Sequence, residues 1–444
     1  MVAVKRFLLL CAAWAVAGAV AGAQITRPYG SLEDSECVTA LKEHVNYLSS
    51  ASLEGRKAGS DGEQDAAAYV TDVLASYGIP VLSGEDGDLF GLRQELGDTL
   101  TSRNVLACIP GYDRALQGRY IVIGARLDNL GVSDYSVNGE TRRRIYYGAN
   151  GNASGLAILL ELARKLSANS MLLRRSVVIA AFGASLESGA GAWYFLNRSF
   201  EATDRIDAMI DLDMLGTASR GLYAYTSSNA DLNRLLDEVN ASLQPIRPQT
   251  VAREPVVSDH RIFYDKEIPA VLFTTGMYPE YNSERDTPDI LEYDDMERTL
   301  EYLYNFSVAL VNGRSPEFRP DSSKQTVTAS DVVSFYQCDV RPTFFRSSDP
   351  ASFLERWVYV YLKYPKSAME EGVQGRVTVD FVIDEKGKVG DVKVVRGADP
   401  RLDAEAVRVI SASPDWKPGV LRGKKVKTAL SVAVEFRLEK KKKK

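Results

Sequence analysis

Continuous apolar runs alternate with stretches of helical spacing through the first three-quarters of the chain, and strict apolar–polar alternation takes over near the carboxyl end. The run YIVIGARLD (120–128) predicts a strand buried on both faces, as parallel sheets require. SGLAILLELARKLSA (154–168) repeats apolar residues at helical spacing, and RRSVVIAAFGA (174–184) predicts the next strand. RIDAMIDLDMLG (205–216) and KEIPAVLFTTG (266–276) supply two more. The expected fold is α/β with a mostly parallel sheet, whose chemistry gathers in the crevice at the carboxyl ends of the strands. Farther on, GRVTVDFVIDEKGKVGDVKVVRG (375–397) alternates about a turn at Gly387, the pattern of a β-hairpin. A helix at 402–413 and a last strand at 426–438 complete a small α+β unit. Between the two, GRSPEFRPDSSKQTVTAS (313–330), with Pro316 and Pro320, has the composition of a connector. DVVSFYQCDVRPTFF (331–345) is more apolar and is expected to dock as a strand on one domain or the other.

Composition narrows the picture. With 444 residues, 45% hydrophobic and 25% charged, the chain can build two domains with proper cores. Its net charge of −5 argues against a general nucleic-acid surface, and the closing run Lys440 to Lys444 is expected to be a solvated tail. The amino end has the form of an export signal: Lys5 and Arg6, an apolar run from Phe7 to Val20, then Ala21-Gly22-Ala23 before Gln24. The alternative is an uncleaved anchor, since about 17 apolar residues stand at the lower limit for spanning a bilayer. The expected division is a signal at 1–23, a first domain at 24–314, a linker at 315–338, a second domain at 339–438 and a lysine tail at 439–444. Cleavage would leave Cys37, Cys108 and Cys338, an odd count that allows one disulfide at most. Cys108 lies in the apolar run NVLACIP and is expected to be a buried thiol, which leaves Cys37 with Cys338 as the candidate pair.

Seven ordered segments make a more specific case. YLSSASLEGRKAGSDGEQDAAAYVTDVLASYGI (47–79) and GARLDNLG (124–131) are followed by GANGNASGLAILLELAR (148–164), AFGASLESGAGAWYF (181–195), IDLDMLG (210–216), SDHRIFYDKEIPAVLFTTG (258–276) and YNSERDTPD (281–289). In this order they resemble the co-catalytic zinc aminopeptidase family, metallopeptidase family twenty-eight, which also contains glutaminyl cyclases and transferrin receptor ectodomains. The resemblance implies a zinc-aminopeptidase-like α/β sandwich. It also implies where ligands would stand, and most are missing. The family's first histidine corresponds to Arg126, and its orienting aspartate to Asp128. The bridging carboxylate corresponds to Gly151, which has no side chain to offer. The paired glutamates, one a general base, align with Ser185 and Leu186; a serine makes a poor base at neutral pH and a leucine cannot bind zinc. The aspartate ligand matches Asp213, and the last histidine matches Asn282.

The chain holds two histidines in all, His44 and His260. A catalytic zinc needs three or four deprotonated ligands, so one surviving ligand position of five implies lost catalysis and no cofactor. One repair is conceivable: Glu187 swinging inward with Asp213, Asp128 and His260. Two readings of Arg126 stay open, a guanidinium that replaces the metal charge beside Asp128 and Asp213, or a side chain pointing outward from a drifted loop. Asp259 and His260 either support the pocket wall or bind a ligand, so the possible cleft-binding set is Arg126, Asp128, Glu187, Asp213, Asp259 and His260. His44 is expected to be an ordinary histidine of surface or core, and SLEGRKAGS (52–60) a turn closing over the pocket.

The carboxyl half resembles the TonB carboxyl-terminal domain through DVRPTF, YPKSAMEEGVQGRV, FVIDEKGKV, LDAEAVRVI, DWKPG and VAVEFRL. This resemblance implies a small α+β domain that contacts envelope proteins, outer-membrane receptors among them, by strand addition. The last strand, roughly Lys427 to Arg437, is the candidate edge unless it is already paired in a dimer or against the first domain. The combined expectation is a periplasmic scaffold or adaptor without a stable membrane span, binding an envelope protein or peptide and no nucleic acid. The alternatives are a zinc metallo-aminopeptidase with an atypical site tethered to outer-membrane receptors, and a TonB variant anchored by an uncleaved signal.

Overall fold

A computed structural model describes residues 34–438 apart from 85, 94–98, 138–139, 219–220, 320–331, 336–337, 339 and 422. The expected signal at 1–23, most of the 313–330 connector and the lysine tail lie outside the described residues. Helix α1 (Glu36–Leu48) starts where Ser35 accepts a hydrogen bond from the Val38 amide, an N-cap that satisfies one of the helix's orphan donors. It buries Val38, Leu41, Val45 and Leu48, one apolar stripe. Helix α2 (Asp61–Ser76) starts in the same way from Ser60. The sheet of the first domain comprises β1 (Asp88–Arg93), β2 (Thr99–Ile109), β3 (Tyr120–Arg126), β6 (Ser176–Phe182), β7 (Ile206–Leu212), β8 (Tyr223–Tyr225), β9 (Gln249–Val251) and β10 (Ala270–Thr274). A separate hairpin, β4 (Gly131–Val137) with β5 (Glu140–Tyr146), stands beside it.

Among the described residues the sheet order is β1-β2-β6-β3-β7-β10-β8-β9. The four central strands run parallel, β6 with β3, β3 with β7 and β7 with β10. Every residue of β6, β7 and β10 is buried, which is why their sequences are apolar without alternation. Helix α3 (Ser154–Ala168) packs on this sheet with apolar residues nearly all round, and α5 (Tyr293–Asn312) packs on α3 with α1 beside it, while α4 (Ala230–Ala241) lies against α5. One core cluster extends from Leu41 to Val311.

A second core gathers Phe335, Phe344, Phe353, Phe381, Trp416 and Phe436 with aliphatic residues around them. Its sheet contains β11 (Val332–Ser334), β12 (Gly375–Ile383), β13 (Val389–Arg396), β14 (Gly419–Leu421) and β15 (Lys424–Phe436), with α6 (Pro400–Ser411) packed on β12 and β13. Strand β11 and Phe335, which composition puts in the linker, belong to this core. The structure corrects the expected edge. β15 pairs with β12 at residues 428–436, with β11 on its other side at residues 427–429, and with β14 at residues 424–426. Tyr359 and the first domain reach the rest of that flank: the Glu435 amide donates to the Tyr359 hydroxyl, and Arg285 donates to the Ala433 carbonyl at 3.4 Å. Among the described residues, the long strand at an end of the sheet order is β13, paired with β12 alone; the short β11 and β14 each pair with β15 alone. The candidate disulfide is corrected as well. Cys37, Cys108 and Cys338 form no disulfide among the described residues; Cys37 sits on α1 in the first domain, whereas Cys338 faces Thr428 of β15 in the second.

Candidate functional site

The carboxyl ends of β3, β6 and β7 bring Arg126, Asp128, Ser185 and Asp213 to one crevice. Arg126 is 4% exposed and points inward. Its Nη2 donates to Asp213 Oδ1 at 3.0 Å, and Nη1 reaches the carbonyls of Asp128 at 3.3 Å and Gly151 at 3.5 Å. The outward-facing alternative is excluded. Burial disfavours the guanidinium charge, yet Asp213, Tyr281 and Asp128 hold it above the usual arginine range. Asp213 itself is pushed above the usual carboxylate range by burial and by Asp211, which together outweigh Arg126. Asp128 accepts the Ser185 amide at 2.7 Å and the Leu186 amide at 3.2 Å, so it is held by the turn after β6. The Ser185 hydroxyl in turn donates to Asp259 Oδ2 at 2.6 Å.

His260 belongs to a different cluster from the one the repair needs. Its Nδ1 lies 3.1 Å from Asp211 Oδ2 and its Nε2 lies 2.9 Å from Glu254 Oε1, so a protonated ring is bound at both nitrogens. Burial opposes that charge, but the two carboxylates win and raise the imidazole to about 9 from an ordinary 6.5. Glu187 is exposed and does not swing inward as the repair requires. His44 is a core residue that meets Tyr69 at 2.8 Å and Glu161 at 3.5 Å. Asn282 adopts a left-handed backbone conformation, φ 55°, in the loop that carries Tyr281.

The residues that fill the crevice are ones the sequence did not single out. Asp286 receives the Asn150 amide at 2.7 Å, the Gly151 amide at 3.0 Å and the Tyr278 hydroxyl at 2.6 Å. A Cβ added at Gly151 would stand 2.9 Å from the Tyr278 hydroxyl and 3.6 Å from the Tyr281 ring, so the volume a carboxylate there would need is taken. Arg56 is wholly buried: its Nε and Nη atoms donate to the carbonyls of Leu48, Leu127, Tyr147 and Gly148. It ties the SLEGRKAGS turn to the crevice wall rather than offering a charge to a ligand. The signal for Asp286 and Arg56 would have been charged residues inside segments of the family pattern, but their acceptors and donors come from distant stretches of chain. A zinc site does not fit these residues. A guanidinium ion-paired to Asp213 stands in it, and among the described residues no group of three or more histidine, cysteine, aspartate or glutamate side chains is arranged to hold a metal.

The buried acids give the domain an unusual pH dependence. Burial raises Asp128 and Asp286 from 3.8 to about 6 and Glu63 from 4.5 to about 7, against the hydrogen bonds each accepts. With His260 raised to about 9, all four bind a proton more tightly folded than unfolded. Their stabilisation is complete below the unfolded values and is lost as pH rises through the folded ones. Glu161 runs the other way: burial raises it, but His44, Arg164 and Tyr77 win and lower it to about 2, so its contribution is lost as pH falls below 4.5. The melting temperature is therefore expected to peak near about pH 4 and to decline steadily toward pH 9. His260→Gln should flatten the part of the decline between 6.5 and about 9, of roughly 2–3 kcal/mol, while leaving the part below it. Thermal denaturation across that range decides; a melting temperature that rises from pH 5 to 8 would contradict the assignment.

Two family models match separate stretches of the chain. Residues 104–307 match the model of peptidase family M28, and residues 360–438 match that of the Gram-negative bacterial TonB protein C-terminal. Protein TonB of Pseudomonas aeruginosa is 32% identical over 77 residues, 17% of this chain and 22% of that protein, so the chain spans about a fifth of that relative's length. Among solved structures, the aminopeptidase from Aneurinibacillus sp. strain AM-1 aligns with a TM-score of 0.49 at 18% identity, over 64% of this chain and 96% of its own. The glutaminyl cyclase of Porphyromonas gingivalis aligns at 0.47 and 19% identity, over 61% of this chain and 96% of its own. The chain carries a peptidase family M28 domain and, after it, a C-terminal domain of the Gram-negative TonB type.

Proposed function

We propose that the protein is a periplasmic, non-catalytic peptidase-like scaffold or adaptor that binds an envelope protein or peptide. The observation that carries the reading is the buried Arg126–Asp213 pair at 3.0 Å, with Tyr278 and Tyr281 filling the space beside Gly151. Arg126 supplies a fixed positive charge among Asp128, Asp213 and their neighbours, the role a metal ion would otherwise have, but it offers no open position for water and no Lewis acidity. Neither position that could supply a general base is placed to act as one: Ser185 is hydrogen-bonded to Asp259, and Glu187 is exposed. The TonB-type domain supports an envelope location, and no helix among the described residues is long and apolar enough to cross a membrane. Partner contact by strand addition falls to the outer edge of β13, where Gly390, Asp391 and Lys393 are exposed. That edge carries a left-handed Asp391 and irregular pairing with β12, devices that protect it from indiscriminate pairing.

Purified mature protein incubated with zinc and passed through gel filtration should carry no stoichiometric zinc. It should also release no amino-terminal residues from peptides. One or two ions retained per chain and lost on replacing Asp213 would instead establish the zinc aminopeptidase with an atypical site. The amino-terminal residue of the exported protein, expected to be Gln24, distinguishes a cleaved signal from an anchor.

A further inference from the structure

The segment 278–286 faces two ways. Inward, Tyr278 and Asp286 hold the Asn150 and Gly151 amides, and the Asp286 carbonyl accepts the Ala149 amide at 3.1 Å. Tyr281 lies beside Arg126, whose charge acts on its phenol. Outward, the same segment meets the second domain directly through Glu280 and Arg285, and through a shared cation at Glu284. Glu280, 6% exposed, is bound by Arg376 of β12 at 2.9 Å, and Arg285 donates to the Ala433 carbonyl of β15. Glu284 shares Arg144 with Asp349: the β5 guanidinium is 2.9 Å from the first and 3.4 Å from the second, and 13% exposed. Arg341 of the second domain is close enough for its charge to act on Tyr281. Pairs as secluded as Glu280 with Arg376 lose more on separation than surface pairs do, because a partly desolvated charge is left behind.

We propose that residues 278–286 form a strap through which docking of the TonB-type domain holds the crevice of the first domain shut. The crevice groups Arg126, Asp128, Asp213, Asp259 and His260 are each 5% exposed or less in this docked arrangement. Separation of the domains removes the outer supports of the strap, and its inner contacts to residues 149–151 then open more often. Engagement of a partner that draws the second domain away therefore exposes the crevice, and a molecule seated in the crevice weakens docking, since coupling between two sites is reciprocal. This inference goes beyond the adaptor reading and does not depend on whether the crevice is catalytic.

Hydrogen exchange on the full-length protein tests it. The amides of Ala149, Asn150 and Gly151 all bond to Asp286 and report on the strap directly. Arg376→Ala lies in the other domain, so damage to the strap's own sequence cannot explain its effect. The expected result is at least roughly tenfold faster exchange at those three amides, with the β3 and β6 amides unchanged, and a larger radius of gyration in X-ray scattering. Asp349→Ala, on a different segment of the second domain, should act in the same direction, and unchanged exchange in β12 will show that this domain remains folded. The proposal is overturned if the domains separate while exchange at residues 149–151 stays constant. It is equally overturned if exchange rises uniformly through β3 and β6, or if neither variant alters separation or exchange.

Discussion

Arg56→Ala is expected to cost about 3–5 kcal/mol, the range for leaving buried polar partners without their charge, and to lower the melting temperature of the first domain by on the order of 10 °C. The guanidinium has no exposure, and it gathers four carbonyls from three places: the end of α1 at Leu48, the end of β3 at Leu127, and the loop at Tyr147 and Gly148. Burial lowers its proton affinity to about 10, helped by the charge of Arg126 and opposed by Asp286 and Asp128, so it stays charged at neutral pH. Removing it strands four buried acceptors and opens a cavity at the point where the SLEGRKAGS turn meets the crevice. Arg56→Lys should recover little, because one ammonium cannot present donors along a planar fork to carbonyls on three sides. Thermal denaturation of both variants settles the matter. An alanine variant melting within a degree or two of the parent would show that these carbonyls find water instead.

The sheet was legible because its central strands are buried on both faces and therefore cannot hide their apolar runs. Strands predicted at 120–128 and 174–184 appear as Tyr120–Arg126 and Ser176–Phe182, and the helix predicted at 154–168 appears as Ser154–Ala168. The hairpin about Gly387 is equally plain from alternation. What the sequence did not disclose was which charges turn inward. Arg56 is bonded to residues as far as 92 positions away, and Asp286 to amides 135 and 136 positions away, so no local pattern marks either. The free edge was misplaced for a related reason. A last strand is an edge in a simple meander, but here the short β11, arriving from the connector, pairs in parallel with β15 at residues 427–429 and takes the end of the strand order. The cysteine pair failed because elimination from burial says nothing of distance: Cys37 and Cys338 serve separate cores.

Arg126→Met is expected to destabilise the first domain by about 3–5 kcal/mol, since it keeps most of the volume but leaves Asp213 buried beside Asp211 without a cation. Asp213→Asn in the same chain should return part of that loss. With both charges gone neither is left uncompensated, and the coupling in a double-mutant cycle measures how far the pair acts as a unit. Losses that simply add would mean that Arg126 acts through its carbonyl contacts to Asp128 and Gly151 and not through Asp213. The same geometry limits what reversion can do. Arg126→His with Gly151→Asp would restore two residues of the aminopeptidase pattern, but a Cβ at 151 meets the Tyr278 hydroxyl at 2.9 Å, and that tyrosine is bound to Asp286 at 2.6 Å. Relieving the clash would break the bond that holds the Asn150–Gly151 loop, so the double reversion is expected to melt lower than the parent and to gain no zinc. Zinc bound at one equivalent by that variant would show that the crevice can still repack around a metal once Arg126 and Gly151 are both replaced.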